Sequence, residues 1–163
     1  MSKSLEFFER IARAAKNVGL PATSERPGGV HPFDERNIHP DIASVCQKLF
    51  DDGHYAQATF EAFKFIDNQV KALSGIQDSG FNLMMAAFNG QTPKIQLTDL
   101  ITISEKDEQL GFRHIFAGAM SAIRNPRGHD NRVDTIDLSL DQLSVASVLL
   151  RTLESRKSPL PVT

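Results

Sequence analysis

Apolar residues recur along this chain at helical spacing, in successive blocks parted by glycine, proline and short polar runs. In SLEFFERIARAAKNV, Leu5, Phe8, Ile11 and Ala15 share one side and the charges fall elsewhere, which predicts an amphipathic helix from about Ser4 to Val18. Residues 19 to 37 hold prolines and glycines without a period and read as a linker. PDIASVCQKLFDD turns Ile42, Val45, Cys46 and Leu49 inward, with Pro40 suited to a first turn and Gly53 to a stop. YAQATFEAFKFIDNQVKALSG carries Ala56, Phe60, Phe63, Val70 and Leu73 on one face and Ala58, Ala62, Phe65 and Ala72 on a second, so burial on two sides is expected. Its remaining stripe, Gln57, Glu61, Lys64, Asn68 and Lys71, has the spacing of a solvated face.

DSGFNLMMAAFNG predicts a short interior helix. Ser104 with Asp107 resembles a capping box opening EKDEQLGFRHIFAGAMSAIRN, whose core face is Phe112, Phe116, Ala119 and Ile123 and which Pro126 is expected to stop. Ser139 with Gln142 reads as the cap of a last helix, LDQLSVASVLLRTLESR. TPKIQLTDLI alternates weakly and is either a short extended piece, pairing with RVDTIDL, or loop. No internal repeat is present, which excludes a helical array. The pattern predicts an all-α bundle of about five or six helices. It divides the chain into an N-terminal helix and linker over 1–36, a helical domain over 37–157 and a tail over 158–163.

Composition narrows the partners. At 163 residues the chain fits one domain, and a net charge of -2 lacks the basic excess of a duplex-coating protein, so any nucleic-acid contact must be a local patch. The single cysteine, Cys46, cannot form an internal disulfide and reads as a small buried hydrophobe, in keeping with a reducing cytoplasm. No signal-peptide pattern follows Met1, and no apolar run nears the roughly 20 residues of a membrane span, so no membrane contact is expected. His31, His39, His54, His114 and His129 show no paired spacing, so neither metal nor cofactor is expected; Gly28 and Gly29 lack the strand of a phosphate-binding loop.

The remaining chemistry sits in RNPRGH, residues 124 to 129. Arg124 lies about 100° from the core direction of its helix. Arg113, Ala117, Met120 and Ser121 share its side, a surface that a second helix could approach and a candidate dimer face. One reading gives Arg124 to the terminal carbonyls of its own helix. The other is chemical: a planar guanidinium matches phosphate oxygens, and an imidazole takes and gives protons near neutrality. Attack of a 2'-hydroxyl on its own phosphate needs a base, an acid and cationic donors, but no metal. A two-fold dimer would supply two copies of each group, and the need for a 2'-hydroxyl would select RNA over DNA.

An arginine, a polar residue, three more and a histidine after a helix resemble the motif of HEPN (higher eukaryotes and prokaryotes nucleotide-binding) domains. The blocks LFDDGHYAQATFEAFKFIDNQVK, SGFNLMMAAF and GFRHIFAGAMSAIRNPRGH resemble, in order and spacing, the Ymh branch of that superfamily over about residues 39 to 155. The resemblance implies a bundle that dimerises around a composite, metal-independent ribonuclease site, as in toxin–antitoxin pairs and phage defence. Its partners would be RNA, a second copy and an antitoxin or defence-system protein. Carried onto this chain, Arg124 would stabilise phosphate charge, His129 would act as general acid or base, and Asn125 would orient the phosphate or its partner. Arg127 stands where many members carry an apolar or small residue, and is either an RNA contact or a solvated side chain. Glu61 is the candidate acidic residue from an earlier helix. The alternative is a non-catalytic nucleotide- or RNA-binding or assembly module built on the same residues.

Overall fold

A computed structural model describes residues 29–129 and 132–157. The expected helix over 4–18, most of the linker and the tail lie outside the described residues. The described chain is all-helical: α1 (Pro32–Glu35), α2 (Pro40–Asp51), α3 (Tyr55–Ser74), α4 (Gly80–Ala87), α5 (Ile103–Ala119), a π turn (Met120–Arg124), α6 (Asn125–His129) and α7 (Ile136–Glu154). Because α5, the π turn and α6 run on without a break, these segments make six helical rods among the described residues. No described helix is long and apolar enough to cross a membrane.

Residues expected in the linker begin the bundle instead. His31 and His39 each accept a hydrogen bond at Nδ1 from the amide two residues on, capping α1 and α2, with Pro32 and Pro40 in the first turns. Accepting at Nδ1 leaves the proton on Nε2, which donates to Asp51 from His31 and to Glu154 from His39. Phe33 follows His31 into the core and packs on Phe50, ring centroids 4.9 Å apart.

The two-sided pattern of α3 gives the middle rod. Ala58, Ala62, Phe63, Ile66 and Val70 are fully buried, and α3 packs on α2, α4, α7, the π turn and α6. Buried polar groups on the same rod are paired, as the cost of leaving them unsatisfied requires. Thr59 bonds Ser139, and Asp67 accepts from the amide of Gly80 at 2.6 Å, fixing the start of α4. Gly80 takes φ +62°, a conformation that glycine adopts without a Cβ penalty.

Two predicted caps move. The capping box is Thr102 with Glu105, two residues before the Ser104 and Asp107 pair, and both reciprocal bonds are made. Amide bonds from Thr102 and Ile101 hold the Glu105 carboxyl below its ordinary pKa of 4.5. Thr135, not Ser139, caps α7; Ser139 lies inside the helix, fully buried, where its hydroxyl donates to the Tyr55 carbonyl. The weakly alternating segment makes one antiparallel bridge, Gln96 to Lys157, and so pairs with the chain just after α7 and not with RVDTIDL. Gln109 holds the same segment to α5, accepting from Leu97 and donating to the Phe88 and Ile95 carbonyls.

Cys46 is buried, 1% exposed, and burial pushes its thiol up to about 12. A rise of three pH units leaves about a thousandfold less thiolate than an ordinary cysteine has, so the native chain should resist alkylation by iodoacetamide at pH 8 until denaturant is added. Alkylation at the rate of a free thiol under native conditions would contradict this burial.

Candidate functional site

Pro126 does not stop the long helix. Lacking an amide proton, and with a ring that crowds the carbonyl four residues back, it disrupts the ordinary ladder. The chain responds by widening: the amide of Asn125 bonds the carbonyl of Met120, five residues back, and the helix continues through Pro126 to His129. The candidate motif is therefore helical, and it begins on a π turn.

Arg124 does not lie on its own terminal carbonyls. Its Nη1 donates to Asn125 Oδ1 at 3.1 Å, and its guanidinium stands 5.5 Å from the centroid of the Phe60 ring. Its Nε is buried without an acceptor. Phe60, expected in the core, is instead half-buried and forms an aromatic plate beneath this segment. Lys64 stands over the same ring at 5.9 Å, and a Cβ at Gly128 would come within 3.0 Å of it. Cation–π attraction and close backbone approach thus fix the motif against α3. Asn125 lies beside the start of α4, where a Cβ at Gly80 would be 3.9 Å from its Oδ1. Asp67, which anchors Gly80, belongs to this support; its signal in the sequence is a carboxylate interrupting an apolar face.

His129 ends α6 and is exposed. Five residues along a regular helix turn through about 140°, so Arg124 and His129 do not share a face. No hydrogen bond joins them among the described residues. Glu61 binds Lys64 at 3.1 Å and accepts from Gln57, so on α3 it belongs to a largely solvated stripe and is not ion-paired with Arg124.

Arg127 is not solvated. Its side chain is 1% exposed and pairs through Nε with the equally buried Asp134 at 2.6 Å. Its Nη1 donates to the Ile123 carbonyl, so the helix-end arginine is this one. Asp134 was not singled out by the sequence, since nothing in the local pattern marks a carboxylate beyond the end of the helix as a burial partner.

The expected dimer face is occupied within the chain. Ala117 and Met120 are buried, and Arg113 donates to the Met85 carbonyl of α4; of the four, Ser121 is exposed. The exposed side of α5 carries Gly111, Ile115, Gly118 and, in the π turn, Ala122. Among the described residues, a Cβ at Gly111 or Gly118 would meet nothing within 4 Å.

The histidines carry one further cluster. His39, Asp41 and Glu154 offer ligand atoms all within 4.8 Å of one another. Both imidazole nitrogens of His39 are already used, one by the α2 cap and one by Glu154, which accounts for the arrangement without an ion.

Fold and site together define an all-α bundle protein whose Arg-Asn-Pro-Arg-Gly-His segment is carried on a helix widened by a π turn. A family model described as "Protein of unknown function (Hypoth_ymh)" matches residues 36–153, and the chain belongs to that family. No curated protein and no solved structure matches it.

Proposed function

We propose that this protein is a metal-independent endoribonuclease of the HEPN type, acting as a homodimer and serving as a toxin or phage-defence effector held in check by a partner protein. The observation that carries the reading is the placement of Arg124, seated on Phe60 and Asn125, on the same short helical segment as an exposed His129. One chain holds the two groups on different sides of that segment, so a second copy is needed to bring an arginine and a histidine to one phosphate. His129 of one chain takes the proton of the 2'-hydroxyl as that oxygen attacks phosphorus. An imidazole of the other chain protonates the departing 5'-oxygen, and the two Arg124 side chains balance the charge on the phosphoryl oxygens. The products are a 2',3'-cyclic phosphate and a 5'-hydroxyl end, with no bound water or metal consumed.

The exposed glycines of α5 support the dimer. A glycine inside a helix costs about 0.5–1 kcal/mol relative to alanine, and neither Gly111 nor Gly118 relieves a contact among the described residues. Close approach of a second helix accounts for both. Gly118→Leu is therefore expected to turn a dimer into a monomer by sedimentation equilibrium and to lower RNA cleavage with it. A dimer that persists with Leu at position 118 would remove this face from the account. A time course on labelled RNA separates the proposal from a non-catalytic binding or assembly module, which saturates without turnover. Growth inhibition on expression that disappears with His129→Ala is expected of the toxin.

A further inference from the structure

A cavity of about 470 Å³ opens between α5, the chain that follows α4 and the loop that leads into α5. Its volume falls in the range of small-molecule sites, about 300–1,000 Å³. Lys106, Gln109, Leu110 and Arg113 form one wall, and spacings of three, four and seven residues place all four on one face of α5. The neighbouring acids do not share that face: Asp107 and Glu108 lie about 100° and 200° round the helix from Lys106. Glu105 is committed to the amides of Ile101 and Thr102, and Asp99 faces Lys157 at 3.4 Å. Among the described residues, the lining therefore holds two cations and no carboxylate.

The same lining carries apolar side chains at fixed positions, Leu100 and Phe88 in addition to Leu110. Leu100 takes φ +57°, a left-handed conformation that is unfavourable for leucine and far easier for glycine or asparagine. The capping box fixes it there. The two amides that follow are tied to the Glu105 carboxylate, and the Thr98 hydroxyl before it donates to the Glu105 carbonyl. What the strained position supplies is an apolar side chain in the cavity wall. Gln109 is buried, with its carboxamide bonded to the Leu97 amide and to the Phe88 and Ile95 carbonyls, so it ties the walls together. Arg113 is anchored through Nε, which donates to the Met85 carbonyl at 3.0 Å. Charge and apolar surface are thus both held in place before any ligand arrives.

We infer that this cavity binds a small organic anion, a molecule with a carboxylate or phosphate on an apolar body. The charge lies between Lys106 and Arg113, and the body lies against Leu100, Leu110 and Phe88. Seven residues of helix separate the two cations by about 10 Å along the axis, so two long side chains can converge on one anionic group. An inorganic ion would leave the apolar wall uncovered, and a neutral hydrocarbon would leave the cations uncompensated. None of Arg124, Asn125 and His129 lines the cavity, so the inference stands apart from RNA cleavage. Carboxylate and phosphate present the same charged oxygens, and the test distinguishes them.

The full chain, labelled with ¹⁵N, is titrated at constant ionic strength with 1-naphthoate and with 1-naphthyl phosphate. Acetate and inorganic phosphate supply the charge without the body, and 1-naphthol supplies the body without the charge. The expected result is saturable movement of the Gly90, Leu100 and Leu110 amide signals by a naphthyl anion. Its affinity should exceed that of the bare ions about tenfold or more, as burial of an apolar group warrants. The tighter of the two naphthyl anions assigns the charged group. Lys106→Gln, at an exposed position, should weaken that anion about fivefold, the upper range for an exposed charge pair, and leave 1-naphthol unaffected. Leu100→Gly, where the backbone suits glycine, should weaken the naphthyl anion and leave the bare ions unaffected. No saturable movement of these signals with either naphthyl anion would overturn the inference. So would 1-naphthol or a bare ion binding as tightly, or equal affinity in wild type and Lys106→Gln.

Discussion

Replacing His129 by alanine should lower RNA cleavage in chelator by about 10² to 10⁴, the usual worth of a positioned proton-transfer group. Arg124→Ala should cost about 10² to 10³, as loss of a preorganised donor to developing charge does. Neither change should disturb the fold. His129 is exposed, and Arg124 is tied to its surroundings by one hydrogen bond to a neighbouring side chain and by the Phe60 ring. Phe60→Leu separates support from chemistry: it keeps an apolar group under the segment and removes the ring face, which at an exposed cation–π pair is worth about 0.5–1 kcal/mol. It should therefore lower activity severalfold and leave His129 in place. Cleavage unchanged in purified His129→Ala would end the assignment of proton transfer to that residue, and unchanged cleavage in Arg124→Ala would do the same for phosphate stabilisation.

The second large effect is on stability. Asp134→Ala leaves the Arg127 guanidinium buried with its Nε partner gone, where both side chains are now nearly sealed from solvent at 1% and 2% exposed. Removing one member of a buried pair ordinarily costs about 3–5 kcal/mol, because the remaining charge is uncompensated. For a chain of this length that corresponds to a fall in melting temperature on the order of 10 °C. Replacing both residues with apolar side chains of similar size, Arg127→Met with Asp134→Leu, should recover most of the loss, since the desolvation of two charges is then avoided. A single-variant loss below about 1 kcal/mol would mean that solvent reaches the pair, against the threshold set for buried breaks.

Much of the bundle was legible because each helix must bury one stripe, and a stripe can be read one helix at a time. Ile42, Cys46, Phe63, Val70, Phe116 and Ala119 all lie in the core where their spacing put them. What spacing could not reach were features decided by another part of the chain. Pro126 looks like a stop because a proline removes a ladder bond, yet the helix widens at Asn125 and runs on, with Gly128 close against the Phe60 ring of α3. Arg127 looks solvated because its neighbours are polar, and its pairing with the buried Asp134 makes its burial tolerable. Phe60 fits a core stripe, yet α3 presents it to Arg124. The proposed dimer face was displaced by one side of the helix for the same reason: Ala117 and Met120 are apolar enough for either an internal or an external partner, and both are buried within the bundle. The motif Arg124, Asn125 and His129 was visible in the sequence, whereas the aromatic plate and the Asp67 anchor of α4 that support it were not.

The central claim is that a 2'-hydroxyl attacks at a site built from Arg124 and His129 without a metal. End-group analysis of RNA cut by the purified chain in EDTA tests it most directly. The account predicts 2',3'-cyclic phosphate and 5'-hydroxyl ends, with no cutting of the same strand carrying a 2'-deoxy sugar at the scissile position. Ends bearing a 5'-phosphate, or equal cutting of the deoxy strand, would contradict it.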